Sequence, residues 1–322
     1  MDTATARACA VESQRETNTM LAAKIGTYSR LLKLNVPELS LYPLTTFGLA
    51  STYIGEAQYW IVMLTFLLFS LCCGTLTIVL DDVMGYVDGV DQLAVLGEKR
   101  NIAKPLLTGE LSLWEAKVAA FAIFSLAMSL VVFWLWLAHL PPGTVVLLIC
   151  ALGFVTQYSF GLKLSYRGLG EVVIIFGAAM ATALPFLILT GRTTPVVLWT
   201  ACMNGIPYAA QIVVSNIIDA KSDAASGRRT ATVLVGVRRA PVISLVLLSV
   251  YWILFAIGLW IGVLPRATLF CLVLLPNHVR FLVRAFAGEY ASARLLSFRT
   301  VRMQLAVVAL SHLLANHVDV LG

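Results

Sequence analysis

Two groups of aspartates stand out as residues that could do chemistry. Asp81, Asp82, Asp88 and Asp91 fall close together after one apolar stretch, and Asp219 and Asp223 follow another. Asp219 and Asp223 are four apart, so a continuing helix stacks them on one face. Asp81 and Asp88 are seven apart, nearly aligned at 3.6 residues per turn. A carboxylate at a bilayer centre costs roughly 2.5–3.5 kcal/mol, and six acids gathered at a membrane boundary also repel one another. A cation must offset both effects. Hard divalent cations suit such oxygen clusters, and Mg2+ held by carboxylates commonly takes substrate phosphates as well. Basic residues in the same set of loops fit that chemistry: Lys99, Arg100, Lys104, Lys163, Arg228 and Arg229. Arginine and lysine beside Mg2+ are what a diphosphate requires. Taken singly, each of these charges reads as a solvated loop residue or a topology signal. Two acidic clusters in equivalent places, with basic loops beside both, favour the functional reading.

The elements that carry these groups must be membrane helices. Of 322 residues, 59% are hydrophobic and 12% charged, and the mean hydropathy is +0.87. Soluble domains are nearer half apolar and a quarter charged, so a soluble enzyme, a disordered chain and a nucleic-acid reader are excluded. Apolar stretches of membrane-spanning length recur nearly throughout. The expected fold is all-α: a polytopic membrane protein with nine transmembrane helices in one bundle and its active-site loops on the cytoplasmic side. The expected spans are 37–56, 59–83, 112–139, 142–160, 169–190, 194–219, 239–263, 266–287 and 302–320. Pro141, Pro142, Gly191, Pro195, Pro241 and Pro265 mark breaks, while Pro185, Pro207 and Pro276 fall inside spans. Residues 1–20 read as a disordered cytoplasmic tail without the apolar core of a signal peptide, and residues 21–322 as one domain. Residues 20–35 read as a basic amphipathic helix on the membrane surface. The six cysteines form no Cys-x-x-Cys pair, and the five in apolar segments read as small core residues; the four histidines are scattered.

With these spans, all of the 23 lysines and arginines except Arg192 and Arg266 fall on one side. By the positive-inside rule the N-terminus is cytoplasmic and the C-terminus outside, in a cell membrane. The net charge of +6 therefore reports topology and not a nucleic-acid partner.

At the level of motifs the chain resembles the UbiA-type intramembrane prenyltransferases over residues 28–320. That family carries Asn-Asp-x-x-Asp-x-x-x-Asp and Asp-x-x-x-Asp on cytoplasmic helix ends of a nine-helix bundle. The segment Asn216-Ile-Ile-Asp219-Ala-Lys-Ser-Asp223, followed by Gly227 and Thr230, is similar to the second motif. Lys104-Pro105-Leu106-Leu107-Thr108-Gly109 resembles the family's Arg-Pro-Leu-x-Ser-Gly loop, and Tyr158-Ser159 with Lys163 and Gly168-Leu169-Gly170-Glu171 resembles its Tyr-Ser…Leu-Lys…Leu-Gly-Glu segment. The first motif departs. Asp81 stands where asparagine is usual, Asp82 matches the first aspartate, and Gly85 and Gly89 occupy the next two aspartate positions. Asp88 and Asp91 are offset from that pattern and enter as ligands on physical grounds. The glycines can let the helix end early and turn the later acids back toward the site.

The resemblance implies a Mg2+ cofactor, an isoprenyl diphosphate donor, a small and aromatic or otherwise lipophilic acceptor, and a lipid bilayer around the reaction. The metal set is then Asp81, Asp82, Asp88, Asp91, Asp219 and Asp223, with Lys99, Arg100, Lys104, Lys163, Arg228 and Arg229 on the diphosphate. Asp82, Asp219, Lys163 and Tyr158 are the expected catalytic residues. Asn216, Glu171, Phe154 and Tyr208 are expected around the acceptor or the allylic cation, with Phe176 and Trp199 as further aromatic candidates. A UbiA-type terpene cyclase, in which an internal alkene captures the cation, is an alternative. A cation transporter is a remote one, because transport sites usually lie near the midplane.

Overall fold

The structure is a computed structural model that describes residues 22–33, 38–96, 104–138 and 140–318. The expected tail at 1–20 and the basic residues Lys99 and Arg100 lie outside the described residues. The described residues form helices and turns and no strand.

The helices in chain order are α1 (22–32), α2 (Pro43–Leu49), α3 (Ala57–Val87), α4 (Val90–Leu96), α5 (Leu113–Ala138), α6 (Pro142–Thr156), α7 (Gly170–Thr190), α8 (Pro195–Asn204), α9 (Ile206–Ala225), α10 (Ala231–Val235), α11 (Ala240–Trp260), α12 (Leu275–Phe286) and α13 (Tyr290–Val318). Among the described residues six helical stretches are long and apolar enough to cross a membrane: α3, α5, α7, α8 with α9, α11, and the 3-10 turn Arg266–Leu274 with α12. Helix α6 is a shorter apolar helix. Large apolar side chains cover the outer faces, such as Phe121, Trp136 and Trp260, the last 86% exposed. That is how a bundle wetted by lipid presents itself.

Two prolines sit differently from the sequence expectation. Pro207 and Pro276 do not interrupt helices; each lies in the first turn of a helix that restarts, α9 after a break at Gly205 and α12 after the 3-10 turn. Proline lacks the N–H that the first turn leaves unused. Pro185 does lie inside α7. The first expected span, 37–56, is likewise a chain of short pieces, with 3-10 turns at Glu38–Ser40 and Ser51–Tyr53 flanking α2.

Consecutive helices pack as neighbours, α3 on α5, α6 on α7, α9 on α11 and α12 on α13, and α13 packs on α2 to close the ring. Lipid is as apolar as leucine, so close backbone approach and buried polar contacts must hold such helices together. Both are present. A Cβ at Gly205 would stand 2.8 Å from the Ala178 Cβ and from the Ile175 Cα, so α7 and the α8–α9 joint approach backbone to backbone. In the interior Asn204 donates to the hydroxyls of Thr45 and Thr182, both at 3.0 Å, and Gln304 donates to the Asn204 carbonyl at 3.2 Å. One side chain thus ties α2, α7, α8 and α13. On the other side of the bundle fully buried Trp134 stacks on Phe66, with centroids 5.2 Å apart, and donates to Thr65 at 2.8 Å.

Candidate active site at one end of the bundle

The charged groups gather at one end of the bundle, where α3 and α9 finish. Helix α3 runs on past its apolar stretch and delivers Asp81 and Asp82 on its last turns, with Asp88 as its cap. Gly89, at φ +78°, turns the chain sharply into α4, which brings Asp91 back. Helix α4 packs against α9, the carrier of Asp219 and Asp223, so the two acidic clusters converge.

Four cations hold the first cluster. Lys104 Nζ lies 2.8 Å from Asp82 and donates to both Asp91 oxygens at 2.8 and 2.9 Å. Lys33 Nζ donates to Asp82 at 3.0 Å. Lys163 Nζ donates to Asp88 at 2.7 Å. Arg228 donates to Asp81 at 3.1 Å and to the Ser165 hydroxyl at 3.2 Å, and Ser159 donates to Asp81 at 2.5 Å. The Arg228 guanidinium and the Lys163 ammonium both sit over the Tyr166 ring, 4.8 and 5.1 Å from its centroid. Burial opposes the charge on Lys104, but Asp82, Asp91 and Asp81 overcome that and raise its pKa, keeping the ammonium ionised. Arg228 follows the same logic, with burial outweighed by Asp81, Tyr158 and Asp223. Burial pushes the Asp91 carboxyl upward against the pull of Lys104, and it also raises the Tyr166 phenol, which stays protonated.

The loop after α6 positions Lys163 through its backbone. Lys163 has a left-handed conformation (φ 49°, ψ 51°), as do Gly161 and Gly168 beside it. A non-glycine residue there carries a cost of about 1 kcal/mol. Bonds from Leu164 N to the Gln157 carbonyl (2.8 Å) and from Ser165 N to the Tyr158 carbonyl (2.9 Å) hold the loop closed. Arg229 N bonds the Tyr166 carbonyl at 3.0 Å, which ties this loop to the one after α9.

Beneath the charged rim lies an apolar cavity of about 180 Å³. Asp81, Lys33 and Tyr158 stand among its lining residues, and its α3 wall descends through Thr77, Gly74, Cys73 and Ser70 to Phe69 and Phe66. From Asp81 to Phe66 that wall runs about 22 Å at 1.5 Å per residue. Tyr208 and Ile212 of α9 and Val173, Gly177 and Leu184 of α7 line it from the other sides.

A family model described as the UbiA prenyltransferase family matches residues 41–306. The chain belongs to that family. Solved UbiA-family structures share its fold. One is a digeranylgeranylglyceryl phosphate synthase, 13% identical, with a TM-score of 0.58, covering 91% of this chain and 98% of that one. Another is a UbiA homolog from Archaeoglobus fulgidus bound to DMAPP and Mg2+, 16% identical, TM-score 0.57, covering 88% and 99%. The same homolog bound to GPP and Mg2+ is 15% identical, with a TM-score of 0.56 over 88% and 99%. No curated protein matches at a significant level.

Within this UbiA-family bundle the expected site residues divide. Asp81, Asp82, Asp88, Asp91, Lys104, Lys163 and Arg228 meet in one network. Tyr158 and Tyr208 line the cavity. Asn216 donates to Glu171 at 3.4 Å, between α9 and the start of α7. Asp223 is buried near Arg228, and both Asp219 and Asp223 have interaction partners of their own. Phe154 and Phe176 pack edge to face on each other, centroids 4.5 Å apart, away from the cavity lining. Trp199 donates to the Leu254 carbonyl at 3.1 Å and packs elsewhere. Arg229 contributes its backbone to the loop tie.

Four described participants were not expected from the sequence: Lys33, Ser159, Ser165 and Tyr166. Helix α1 does form, but it docks on the bundle. Leu31 is fully buried, Arg30 pairs with Glu110, Lys24 bonds Glu115 at 2.8 Å, and Lys33 reaches Asp82 from the end of the helix. The amphipathic face was the available signal, and it fits a bundle surface as well as a membrane surface.

Among the described residues no three acidic, histidine or cysteine groups stand together as a metal-ligand cluster, and lysine and arginine pair with the aspartates. The donor set is still all carboxylate, as Mg2+ prefers. Asp82 is 1% exposed and its Oδ2 is buried without a partner. A buried, unsatisfied carboxylate oxygen costs about 1–3 kcal/mol and is suited to a ligand's cation.

Proposed function

We propose that this protein transfers a prenyl group from an isoprenyl diphosphate to a small aromatic acceptor inside the membrane. The observation that carries the reading is the junction of two environments: an apolar shaft long enough for an isoprenoid tail ends at a rim of paired carboxylates and cations. The relatives bound to DMAPP or GPP with Mg2+ support the same chemistry.

Asp81, Asp82, Asp88 and Asp91 from one half and Asp219 and Asp223 from the other would hold Mg2+. When bound, the metal neutralises phosphate charge and stabilises the leaving diphosphate. The chain supplies the rest. With the aspartates given to a metal, Lys33, Lys104, Lys163 and Arg228 would be free to turn from their carboxylate partners to phosphate oxygens. The allylic C–O bond breaks and diphosphate leaves with the electron pair, its charge met by these fixed cations. The shaft excludes water, so the cation is not quenched. The faces of Tyr158 and Tyr208 stabilise it. Asn216 and Glu171 position the acceptor, whose ring carbon forms the new C–C bond and then releases its proton to the departed diphosphate.

In the same reading the chain crosses the cell membrane nine times, the broken first segment, α6 and α13 adding to the six long apolar stretches. The charged rim and the N-terminus face the cytoplasm, which the distribution of lysine and arginine supports.

The test is diphosphate release by purified protein with Mg2+ and DMAPP, GPP or longer donors, with and without aromatic acceptors, and products identified by mass. Release that requires an acceptor and yields a prenylated ring supports the proposal. Release without an acceptor, giving a cyclic hydrocarbon or alcohol, overturns it in favour of a cyclase. No release with any donor overturns prenyl chemistry altogether.

A further inference from the structure

A second cleft, largely apolar but carrying three arginines, lies between α9 and α13. It is open, about 400 Å³ in volume, and lined by Arg294, Arg299, Arg302, Leu295 and Phe298 of α13 with Ile218 of α9. The five α13 residues form one stripe, at i, i+1, i+4, i+5 and i+8. Ile218 immediately precedes Asp219, about 100° round α9 from it, so the cleft flanks the aspartate face. Arg294 lies over the Phe298 ring, 5.6 Å from its centroid. No described carboxylate forms an ion pair with Arg294 or Arg299. Arg302 pairs with Glu38, its Nε donating at 2.6 Å.

A buried polar line runs from this cleft to the chamber. Glu38 is fully buried and its second oxygen has no partner. Tyr42, one turn on, is also fully buried with an unpartnered hydroxyl, and its ring meets Tyr208 edge on at 6.5 Å. Tyr208 lines the apolar cavity. Polar groups buried without partners are costly, so this line couples Arg302 of the cleft to Tyr208 of the chamber through two unsatisfied polar sites.

We infer that this cleft binds the phosphate head of an amphiphile whose apolar part lies along Leu295, Phe298 and Ile218. Three arginines less the one balanced by Glu38 leave two positive charges, which match a phosphate monoester dianion. Arginine forks suit phosphate oxygens. The head group can belong to a bilayer lipid or to a phosphate-bearing acceptor approaching the chamber. Phosphate binding in the cleft stands apart from the prenyl-transfer reading, because none of the cleft's residues belongs to the aspartate network; its assignment to an acceptor rests on that reading.

Dodecyl phosphate is the probe. It is titrated into the protein in phosphatidylcholine nanodiscs and followed by calorimetry, with protein-free nanodiscs subtracted and dodecanol as the uncharged control. The expected result is one saturable site for dodecyl phosphate and none for dodecanol, with affinity lowered about tenfold or more, some 1.4 kcal/mol, in the R294Q/R299Q double variant and unchanged in D82N. Both arginines are exposed, so the double variant folds, and D82N reports separately on the aspartate site. Nanodiscs containing phosphatidic acid distinguish the sources. Loss of dodecyl phosphate binding there assigns the cleft to a bilayer lipid, and retained binding assigns it to a phosphate-bearing acceptor. Absence of saturable binding, equal binding by R294Q/R299Q, or loss of binding in D82N overturns the inference.

Discussion

The carboxylate of Asp91 lies over Gly85. A Cβ placed on Gly85 would stand 3.0 Å from the carboxyl carbon and from both oxygens of Asp91. The glycine leaves room, one turn beyond Asp81 and Asp82, for an acid delivered from the next helix. If that carboxylate serves the metal, Asp91→Ala lowers turnover about 100-fold, in the range typical of groups that hold or orient a ligand. Combining it with Gly85→Asp restores at least part of the loss, while Gly85→Asp alone crowds two acids and fails. Mn2+ binding followed by electron paramagnetic resonance checks the same series without turnover.

Arg228 joins the two halves of the site. It pairs with Asp81 on α3 and carries the loop that follows Asp223. Arg228→Ala removes the ion-pair partner of Asp81 and leaves it the Ser159 hydroxyl. A fully buried pair broken in this way costs about 3–5 kcal/mol; Asp81 keeps 28% exposure, so the expected loss is at the lower end or below it. Asp81→Asn in the same chain recovers part of the loss. Unfolding in mixed micelles measures both.

Cys73 lies eight residues below Asp81 on the cavity wall, about 12 Å down the shaft. Cys73→Phe plugs the shaft there. The expected outcome is a fall of 10- to 100-fold in kcat/KM for a twenty-carbon donor, on the order of 1–3 kcal/mol of lost fit, with little change for DMAPP. Equal losses for both donors would mean that the tail lies elsewhere.

Chelation of divalent metal is expected to stop diphosphate release and leave the unfolding midpoint in place. Without metal, Lys104 and Lys33 continue to neutralise Asp82, and Lys104 holds Asp91. Metal together with a diphosphate raises the midpoint by mass action. Thermal unfolding with and without chelator, Mg2+ and inorganic diphosphate reads this directly.

The sequence carried the acids and the apolar runs that place them, because membrane helices announce themselves by composition and carboxylates at their ends by contrast. It could not show which cation meets which acid. Lys33 and Asp82 are 49 residues apart and Arg228 and Asp81 are 147 apart, distances at which spacing says nothing. Aromatic residues were equally opaque. Tyr158 and Phe154 are one turn apart, yet Tyr158 lines the cavity and Phe154 turns to Phe176. The residues that lead up to Phe154, from Val145 to Gly153, are apolar, so hydropathy has no face to read there. The short breaks at Gly205 and Leu274 were hidden for the same reason, with Pro207 and Pro276 as their only trace.

The ring of helices closes through its two ends. Asn316 of α13 donates to the carbonyls of Gly48 and Leu49 at 3.1 and 3.3 Å, and a Cβ on Gly48 would overlap the Ala309 carbonyl. These partners are 268 residues apart for Asn316 and Gly48. At ribosomal speeds α2 is therefore made on the order of tens of seconds before the helix it touches. During that interval its buried threonines face lipid or the insertion machinery. The enzyme is assembled like a barrel whose last stave locks against the first, so a chain truncated before α13 leaves the ribosome with its helices inserted and the face of α2 that α13 covers left open.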